Sequence, residues 1–280
     1  MKKIPFLLLT KSIGCGINLM GVVNPSKAQK LAYRFFSEPR TGKLTADRLP
    51  AILSSAERQQ FLFGQQPFNA FVWKGNHDVI LLVHGWESNA ARWEKLLPYL
   101  RKSGKTIVAI DAPAHGLSPG REFTVPTYSE FINIAARHFR PSSIIGHSIG
   151  GTAALYYQHR FQNPEIKKMI TLGAPSELQV IVNQYTRLLG LSPRTSALLD
   201  RYFPEHFDIR IADFSSHLFA RSIGVQGLII HDLDDTVVSF AEAQKIADSW
   251  KNAGFVQTKG LGHSMHDEAL YQQIADFLEA

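Results

Sequence analysis

The stretch IIGHSIGG, Ile144 to Gly151, decides how this chain is interpreted. It joins a short apolar run with strand character to a helical pattern over residues 149–161. Within it, Ser148 stands between Gly146 and Gly150 and gives the pattern G-x-S-x-G. A sharp strand-to-helix turn crowds the flanking positions and holds the serine strained, with its hydroxyl exposed. Ser148 is therefore predicted to be a nucleophile, and the helix start behind it offers N–H groups to a developing oxyanion.

Strand and helix patterns alternate on both sides of this turn. The strand patterns cover residues 59–64, 68–73, 78–83, 105–110, 142–145, 166–172, 225–230 and 255–259. The helical patterns between and after them cover residues 90–100, 125–139, 149–161, 239–250 and 268–278. Strands that alternate with helices form crossover units. The sequence therefore predicts an α/β protein with a mainly parallel eight-stranded sheet, helices on both faces and an antiparallel pair of strands at one edge.

One long interval, between the strand patterns that end at 172 and begin at 225, contains no strand pattern. Its apolar spacing indicates helices, first near residues 178–189. A connection of this length is usually functional. We expect a helical cap, or lid, over residues 175–223, an α/β core over residues 57–174 and 224–280, and an N-terminal helical segment with a connector over residues 1–56.

A serine nucleophile requires a general base and an acidic group that orients the base. His263 follows the glycine-rich end of the last strand pattern and is the candidate base. The acid candidates follow the strand pattern at 225–230 and are Asp232, Asp234 and Asp235. The more distant alternatives are His266 for the base and Glu177 for the acid. A metal cluster built from the three aspartates is disfavoured because no paired ligand motif accompanies them.

Five stretches together resemble the α/β-hydrolase superfamily over about residues 60–280. They are HGW (84–86), DAPAHGLS (111–118), GHSIGG (146–151), DDTVV (234–238) and GLGH (260–263). The resemblance implies the chain order nucleophile, acid, base, which Ser148, Asp235 and His263 satisfy. In the DAPAHGLS stretch, Ala114 replaces the first of the family's usual glycines.

The resemblance also assigns particular roles. Members place the acid four residues after the start of an HG-x-x-D turn, which here begins at His231 and has Asp232 in place of the glycine. Asp235 is therefore the implied acid. The backbone N–H groups of Trp86 and Ile149 are implied to form the oxyanion hole.

The activity implied by this set is a serine hydrolase that cleaves a carboxylic ester or thioester of a small-molecule substrate through an acyl-enzyme. Acyltransferases and carbon–carbon hydrolases use the same triad, so they stay open as alternatives. A binding protein that keeps the fold without catalysis is the alternative from another class.

Composition and charge limit the kinds of partner and cofactor that the chain is expected to bind. The net charge is +6, but residues 1–50 carry +7 and the remainder carries −1, so no basic surface for nucleic acid is expected on the main body. Cys15 is the only cysteine, which excludes an intramolecular disulfide and a cysteine-based metal cluster. No cofactor and no metal are expected, and the lone cysteine is compatible with a cytoplasmic location.

The N-terminal 36 residues have a separate character. Thr10 and Lys11 interrupt the apolar run that follows Met1-Lys2-Lys3, so the segment resembles a secretory signal peptide only weakly. The run is also too short to span a bilayer. Helical spacing places an apolar series on one face: Phe6, Leu9, Ile13, Ile17 and Met20. Residues 1–36 are therefore expected either to pack on the protein itself or to lie on an anionic membrane at its inner surface.

Overall fold

The computed structural model describes the backbone of residues 3–280 and the side chains from residue 7 onward. Met1, Lys2 and the side chains of residues 3–6, including Phe6 of the predicted apolar face, lie outside the described residues. The chain forms two compact units. The helical unit comprises Met1–Glu38 and Glu177–Ser215, and the sheet unit comprises Pro39–Ser176 and Ser216–Ala280. The domain division predicted from the sequence, with a separate N-terminal segment and cap, stays a prediction.

The sheet unit contains one eight-stranded sheet in the order β1-β2-β4-β3-β5-β6-β7-β8. Its strands are β1 Glu57–Phe63, β2 Gln66–Trp73, β3 Val79–Val83, β4 Thr106–Ile110, β5 Ser143–His147, β6 Lys168–Leu172, β7 Gln226–Asp232 and β8 Ala253–Thr258. Strand β2 pairs antiparallel with both β1 and β4, and β3 to β8 pair in parallel. The predicted eight strands, their mainly parallel pairing and the antiparallel pair at one edge are confirmed.

Helices follow the strands as the alternating pattern predicts. They are α1 Lys3–Val23, α2 Pro25–Ser37, α3 Ala51–Ser54, α4 Leu97–Arg101, α5 Val125–Phe139, α6 Ile149–Phe161, α7 Leu178–Leu189, α8 Pro193–Phe207, α9 Ser216–Ala220, α10 Phe240–Ser249 and α11 Glu268–Glu279. Short 3₁₀ helices lie at Ala90–Glu94 and Ile211–Asp213. The helix predicted over residues 90–100 is split, because Pro98 has no N–H to continue the helical hydrogen bonds.

Strand β2 shows how the sheet packs on both faces. Phe68 stacks on Phe131 of α5, with ring centroids 4.2 Å apart. Phe71 and Trp73 belong to a buried cluster with side chains of α4 and α11, including Leu100. Because alternate residues of a strand point to opposite faces, one apolar strand supplies both layers. The sheet is therefore buried on both sides, and the loops at the ends of its parallel strands carry the polar residues.

The helical unit has its own apolar core. Helices α1, α2, α7 and α8 and the 3₁₀ helix at Ile211–Asp213 contribute its buried side chains, which are Ile17, Ala28, Ala32, Tyr33, Val182, Leu189, Leu198, Leu199, Phe203 and Ile211. Asn24 caps α2 by accepting the Lys27 N–H at 3.0 Å. Among the described residues, no helix is both long enough and apolar enough to cross a membrane.

Candidate active site

Ser148 lies between the end of β5 and the start of α6, in the strained conformation that the motif predicts. Its backbone has φ 53° and ψ −131°. A Cβ on Gly146 would lie 2.6 Å from the Gly151 Cα, and a Cβ on Gly150 would overlap the His84 carbonyl. The turn can therefore form only because both flanking residues are glycines. The Ser148 N–H donates to the Leu172 carbonyl at 2.8 Å and ties the turn to β6.

The structure brings together the three side chains that the sequence selects. The Ser148 Oγ lies 3.0 Å from the His263 Nε2. On the other side of the same ring, the His263 Nδ1 lies 2.7 Å from the Asp235 Oδ2. Residues 148, 235 and 263 each follow a parallel strand, so the sheet places their loops at the same edge. This line of hydrogen bonds can carry a proton from the serine to the histidine.

The Asp235 carboxylate is held in place by its own loop. Its Oδ1 accepts the N–H groups of Val237 and Val238 at 2.8 and 2.9 Å, which leaves Oδ2 for His263. Burial alone would raise the pKa of Asp235, but the hydrogen bonds from His263 and the two amides outweigh it and hold the pKa below its ordinary value. The carboxylate therefore remains charged beside the imidazole at neutral pH.

The other candidate acids have different surroundings. The Asp232 carboxylate accepts the Thr258 hydroxyl at 2.7 Å and the Leu261 N–H at 3.0 Å, so it joins the loops after β7 and β8. Asp234 is exposed and donates its own N–H to Asp232. Glu177 precedes α7 in the helical unit. Among these residues and Asp235, the structure gives a hydrogen bond to His263 only for Asp235.

His266, the alternative base, is engaged elsewhere. Its Nδ1 lies 2.6 Å from the Tyr271 hydroxyl, and its side chain is exposed just before α11. His263, by contrast, reaches both Ser148 and Asp235. The geometry therefore favours His263 as the base.

Sequence reasoning missed a contact made by His147, the residue before the nucleophile. Its Nε2 donates to the backbone carbonyl of His263 at 2.9 Å. His147 is buried, and burial, together with the nearby charge of Arg92, holds its pKa well below the ordinary value. The ring is therefore neutral and fastens the loop that carries His263. The residue is visible inside the GHSIGG motif, but its partner is 116 positions away in sequence.

His231 has a comparable place beside the acid. Its Nε2 donates to the Val238 carbonyl at 2.9 Å and lies 3.4 Å from the Asp235 Oδ2. The side chain is fully buried, and burial lowers its pKa. It is the first residue of the turn that implies Asp235 as the acid, so the sequence contained a signal for this role.

The two implied oxyanion donors have N–H groups free to bind an anion. Ile149 is the first residue of α6, where N–H groups have no partner within the helix. Within the part of the chain that the structure describes, neither the Ile149 nor the Trp86 N–H donates to a protein acceptor. Gly85, next to Trp86, packs against the nucleophile: a Cβ there would lie 2.8 Å from the Ser148 Cβ.

Buried polar groups form hydrogen bonds that hold the loop that carries Trp86. His84 accepts the Ala112 N–H at 3.0 Å, and burial lowers its pKa to about 3, so the ring is neutral. Asp111 accepts the N–H groups of Ala90 and Leu117 at 3.0 and 2.8 Å. These contacts hold the HGW and DAPAHGLS stretches against each other.

Two further residues complete this support. His115 is fully buried and accepts the Glu87 N–H at 2.9 Å through its Nε2. Ala114, which replaces a usual glycine, adopts a positive φ of 62°. The backbone thus keeps a left-handed conformation at this position without the glycine that normally permits it. Among the described residues, no group of three or more metal-ligating side chains lies close enough to hold a metal ion.

The fold and the order of these loops agree with a comparison to protein families. The family model described as the α/β-hydrolase fold matches residues 78–195, which include Ser148 and the loops before it. The chain thus has the α/β-hydrolase fold. A meta-cleavage product hydrolase from Pseudomonas fluorescens has the same fold, with a TM-score of 0.61 at 17% identity over 81% of this chain and 98% of that one.

Similarity in sequence to known proteins covers shorter stretches of the chain. A serine hydrolase-like protein of Danio rerio is 33% identical over 108 residues, 36% of this chain and 32% of that protein. Phospholipase YtpA of Bacillus subtilis is 26% identical over 173 residues, 56% of this chain and 67% of that protein. The chain thus spans about a third of the length of the first relative and two thirds of the second. Both relatives carry hydrolase names.

Proposed function

We propose that this α/β-hydrolase cleaves an ester-type bond, a carboxylic ester or thioester, through an acyl-enzyme on Ser148. The observation that carries the proposal is the line of contacts from the Ser148 Oγ to the His263 Nε2, at 3.0 Å, and from the His263 Nδ1 to the Asp235 Oδ2, at 2.7 Å. A serine hydroxyl becomes a useful nucleophile when a positioned base removes its proton.

In the first half-reaction, the Ser148 oxygen forms a bond to the acyl carbon as its proton moves to the His263 Nε2. The former carbonyl oxygen takes the negative charge, and the N–H groups of Trp86 and Ile149 donate to it. Each such donor contributes about 3 kcal/mol to stabilising the transition state. His263 then returns the proton to the leaving oxygen or sulfur, that bond breaks, and the acyl group stays on Ser148.

In the second half-reaction, water replaces the alcohol or thiol. His263 removes a proton from the water, whose oxygen attacks the acyl carbon. The bond to the Ser148 oxygen breaks, the serine recovers its proton from His263, and a carboxylic acid leaves. Asp235 stays ionised throughout, orients the ring through Nδ1 and stabilises the imidazolium.

The relatives support the choice of an ester-type bond. The Bacillus subtilis relative is a phospholipase and the Danio rerio relative is a serine hydrolase-like protein. Neither the triad nor the fold separates esters from thioesters, so the proposal includes both. The site itself needs no metal or cofactor for this chemistry, because a side chain supplies each proton transfer.

Hydrolysis of p-nitrophenyl esters of increasing acyl length, with matched thioesters, tests the proposal. We expect turnover of at least one member by the wild-type chain and its loss in Ser148→Ala. Ser54→Ala, an exposed serine in α3, is the matched control and should retain full activity. A folded wild-type chain that turns over no member, or a Ser148→Ala variant as active as the wild type, would contradict the proposal and favour a binding protein.

A further inference from the structure

Helix α1 carries most of the exposed large apolar side chains in the described part of the chain. Eleven such side chains are exposed there, and six belong to α1. The six are Leu7, Leu8, Leu9, Leu19, Val22 and Val23, with exposed fractions between 52% and 78%. Single exposed apolar residues are ordinary, but a concentration on one element marks an interaction surface.

The opposite side of α1 is already occupied within the helical unit. Thr10, Gly14, Ile17 and Gly21 recur every three or four residues and are buried. Gly14 lies so close to α7 that a Cβ on it would overlap the Leu189 carbonyl. This close approach leaves α1 with one fixed inner face.

Polar contacts also fix the rotation of α1 about its axis. The Lys11 Nζ donates to the Arg187 carbonyl at 2.7 Å, and the Asn18 Nδ2 donates to the Gly190 carbonyl at 2.9 Å. The Ser192 N–H in turn donates to the Asn18 Oδ1 at 2.8 Å. The helix cannot turn its outer side chains inward without breaking these bonds.

The outer side of α1 carries a strip of exposed apolar side chains, with the polar Ser12 on the same face between Leu8 and Cys15. Leu8, Cys15, Leu19 and Val22 are spaced by seven, four and three residues, which places them along one face. At about 1.5 Å per residue, the strip from Leu8 to Val22 is roughly 21 Å long. Leu19 and Val22 are not part of the apolar face predicted from the sequence. Ile13, Ile17 and Met20 of that face pack into the helical unit, whereas Leu9 is exposed.

The charge around the strip indicates what covers it. Residues 1–37 contain six basic residues and no acidic residue. Two of the basic residues, Lys27 and Lys30, lie at positions i and i+3 of α2 and are exposed, whereas Arg34 forms an ion pair with Glu38. An apolar strip within a purely basic segment is complementary to a bilayer that contains anionic lipid. A second copy of the same segment would instead be repelled.

We propose that the outer face of α1, the strip from Leu8 to Val22, binds the surface of an anionic lipid bilayer, with Lys27 and Lys30 of α2 at the headgroups. The helix lies along the surface rather than across the bilayer, because its inner face belongs to the helical unit. This inference is independent of the catalytic proposal and holds whatever reaction the sheet unit performs.

Vesicle flotation with the full chain tests the inference. We expect the wild-type chain to float with phosphatidylcholine vesicles that contain about 30% phosphatidylglycerol, and far less with phosphatidylcholine alone. Leu19→Ser/Val22→Ser should reduce the bound fraction roughly tenfold, and Lys27→Gln/Lys30→Gln should weaken binding mainly at low salt. Leu62→Ser, which removes a similarly exposed leucine from β1, is the matched control and should bind as the wild type does.

Several outcomes would overturn the inference. One is a wild-type chain that does not float with the anionic vesicles. Another is equal flotation of the wild type and Leu19→Ser/Val22→Ser, with thermal melting used to show that both chains are folded. A dimer in sedimentation that the double substitution disrupts, without flotation of the wild type, would assign the strip to a second copy instead.

Discussion

The imidazole of His147 donates a hydrogen bond to the backbone carbonyl of His263, with 2.9 Å between the His147 Nε2 and that oxygen. The residue beside Ser148 thus holds the loop that carries His263. Ser148 follows His147 in the chain, and His263 accepts the hydrogen bond of the His147 ring. This contact helps to keep the His263 Nε2 at 3.0 Å from the Ser148 Oγ.

Removing this donor should misplace the base. His147→Leu is expected to lower kcat by up to about 100-fold with little change in KM, because a displacement of the order of an ångström at a reacting group has that effect. His147→Gln, whose amide can donate in place of the ring, should recover much of the loss. Steady-state kinetics on the best p-nitrophenyl ester would measure both. Equal losses in the two variants would mean that the ring's shape, rather than its hydrogen bond, is what matters.

Asp235→Asn should leave the site assembled and nearly inactive. An amide in place of the carboxylate favours the wrong tautomer of His263 and cannot stabilise the imidazolium, so kcat should fall by about 10⁴-fold. Matched substitutions Asp234→Asn and Asp232→Asn should keep far more kcat, since neither side chain bonds to His263. A larger loss in Asp234→Asn than in Asp235→Asn would show that the acid is assigned wrongly.

The same substitution has a pH signature in stability. The folded pKa of Asp235 lies below its ordinary value, so its ionised form stabilises the folded chain above about pH 4, and this contribution disappears as the pH falls through the folded pKa. The difference in unfolding free energy between the wild type and Asp235→Asn should therefore shrink as the pH falls from 5 toward 3. Urea titrations across that range measure it, and a difference that grows toward low pH would contradict the assignment.

Gly85 should not tolerate a methyl group. In Gly85→Ala the new Cβ would lie 2.8 Å from the Ser148 Cβ and 3.1 Å from the His147 Nδ1. We expect a loss of about 1–3 kcal/mol in unfolding free energy. The turnover rate should fall by roughly 100-fold or more, because the loop with the Trp86 N–H must move. Gly254→Ala in β8, whose nearest neighbour would lie at 3.6 Å, is the control and should change the rate little.

Buried neutral histidines make the fold sensitive to acid. The pKa values of His84, His147 and His231 are lowered, chiefly by burial, and that of His84 reaches about 3. Below their ordinary pKa of about 6.5 the unfolded chain binds protons that the folded chain does not, so stability falls with falling pH by up to about 1.4 kcal/mol per pH unit for each ring. Asp111, with a pKa of about 7, takes up a proton in the folded chain over the same pH range. Its protonation therefore stabilises the folded chain as the pH falls and offsets the effect of one histidine ring.

We therefore expect the unfolding free energy to decrease from pH 6.5 toward pH 4.5, as measured by urea titration at several pH values. A value that stays constant or increases over that range would show that the three rings take up protons in the folded state.

The eight strands, and the loops that carry Ser148, Asp235 and His263, were predictable because both depend on local sequence. Continuous apolar runs marked the buried strands, and the predicted bounds of α5 and α6 agree with the structure. Thr124, which caps α5 by accepting the Thr127 N–H at 3.1 Å, is the kind of local signal that fixes such a boundary.

The remaining features depend on contacts between distant parts of the chain. No local pattern shows that His147 reaches the carbonyl of a residue 116 positions later. The inner face of α1 was predictable only in part: Ile13, Ile17 and Met20 of the predicted face pack inward, but Leu9 is exposed. The orientation of the helix follows from the close approach of Gly14 to α7. It also follows from the hydrogen bonds of Lys11 and Asn18 to backbone carbonyls at the C-terminal end of α7.

The most direct test of the catalytic account is covalent labelling with a fluorophosphonate, followed by peptide mass spectrometry. The account predicts a single adduct on Ser148, formed by the wild-type chain, absent from Ser148→Ala and strongly slowed in His263→Ala. Ser54→Ala should label as the wild type does. A folded wild-type chain that forms no adduct, or an adduct on another residue that persists in Ser148→Ala, would contradict the assignment of Ser148 as the nucleophile.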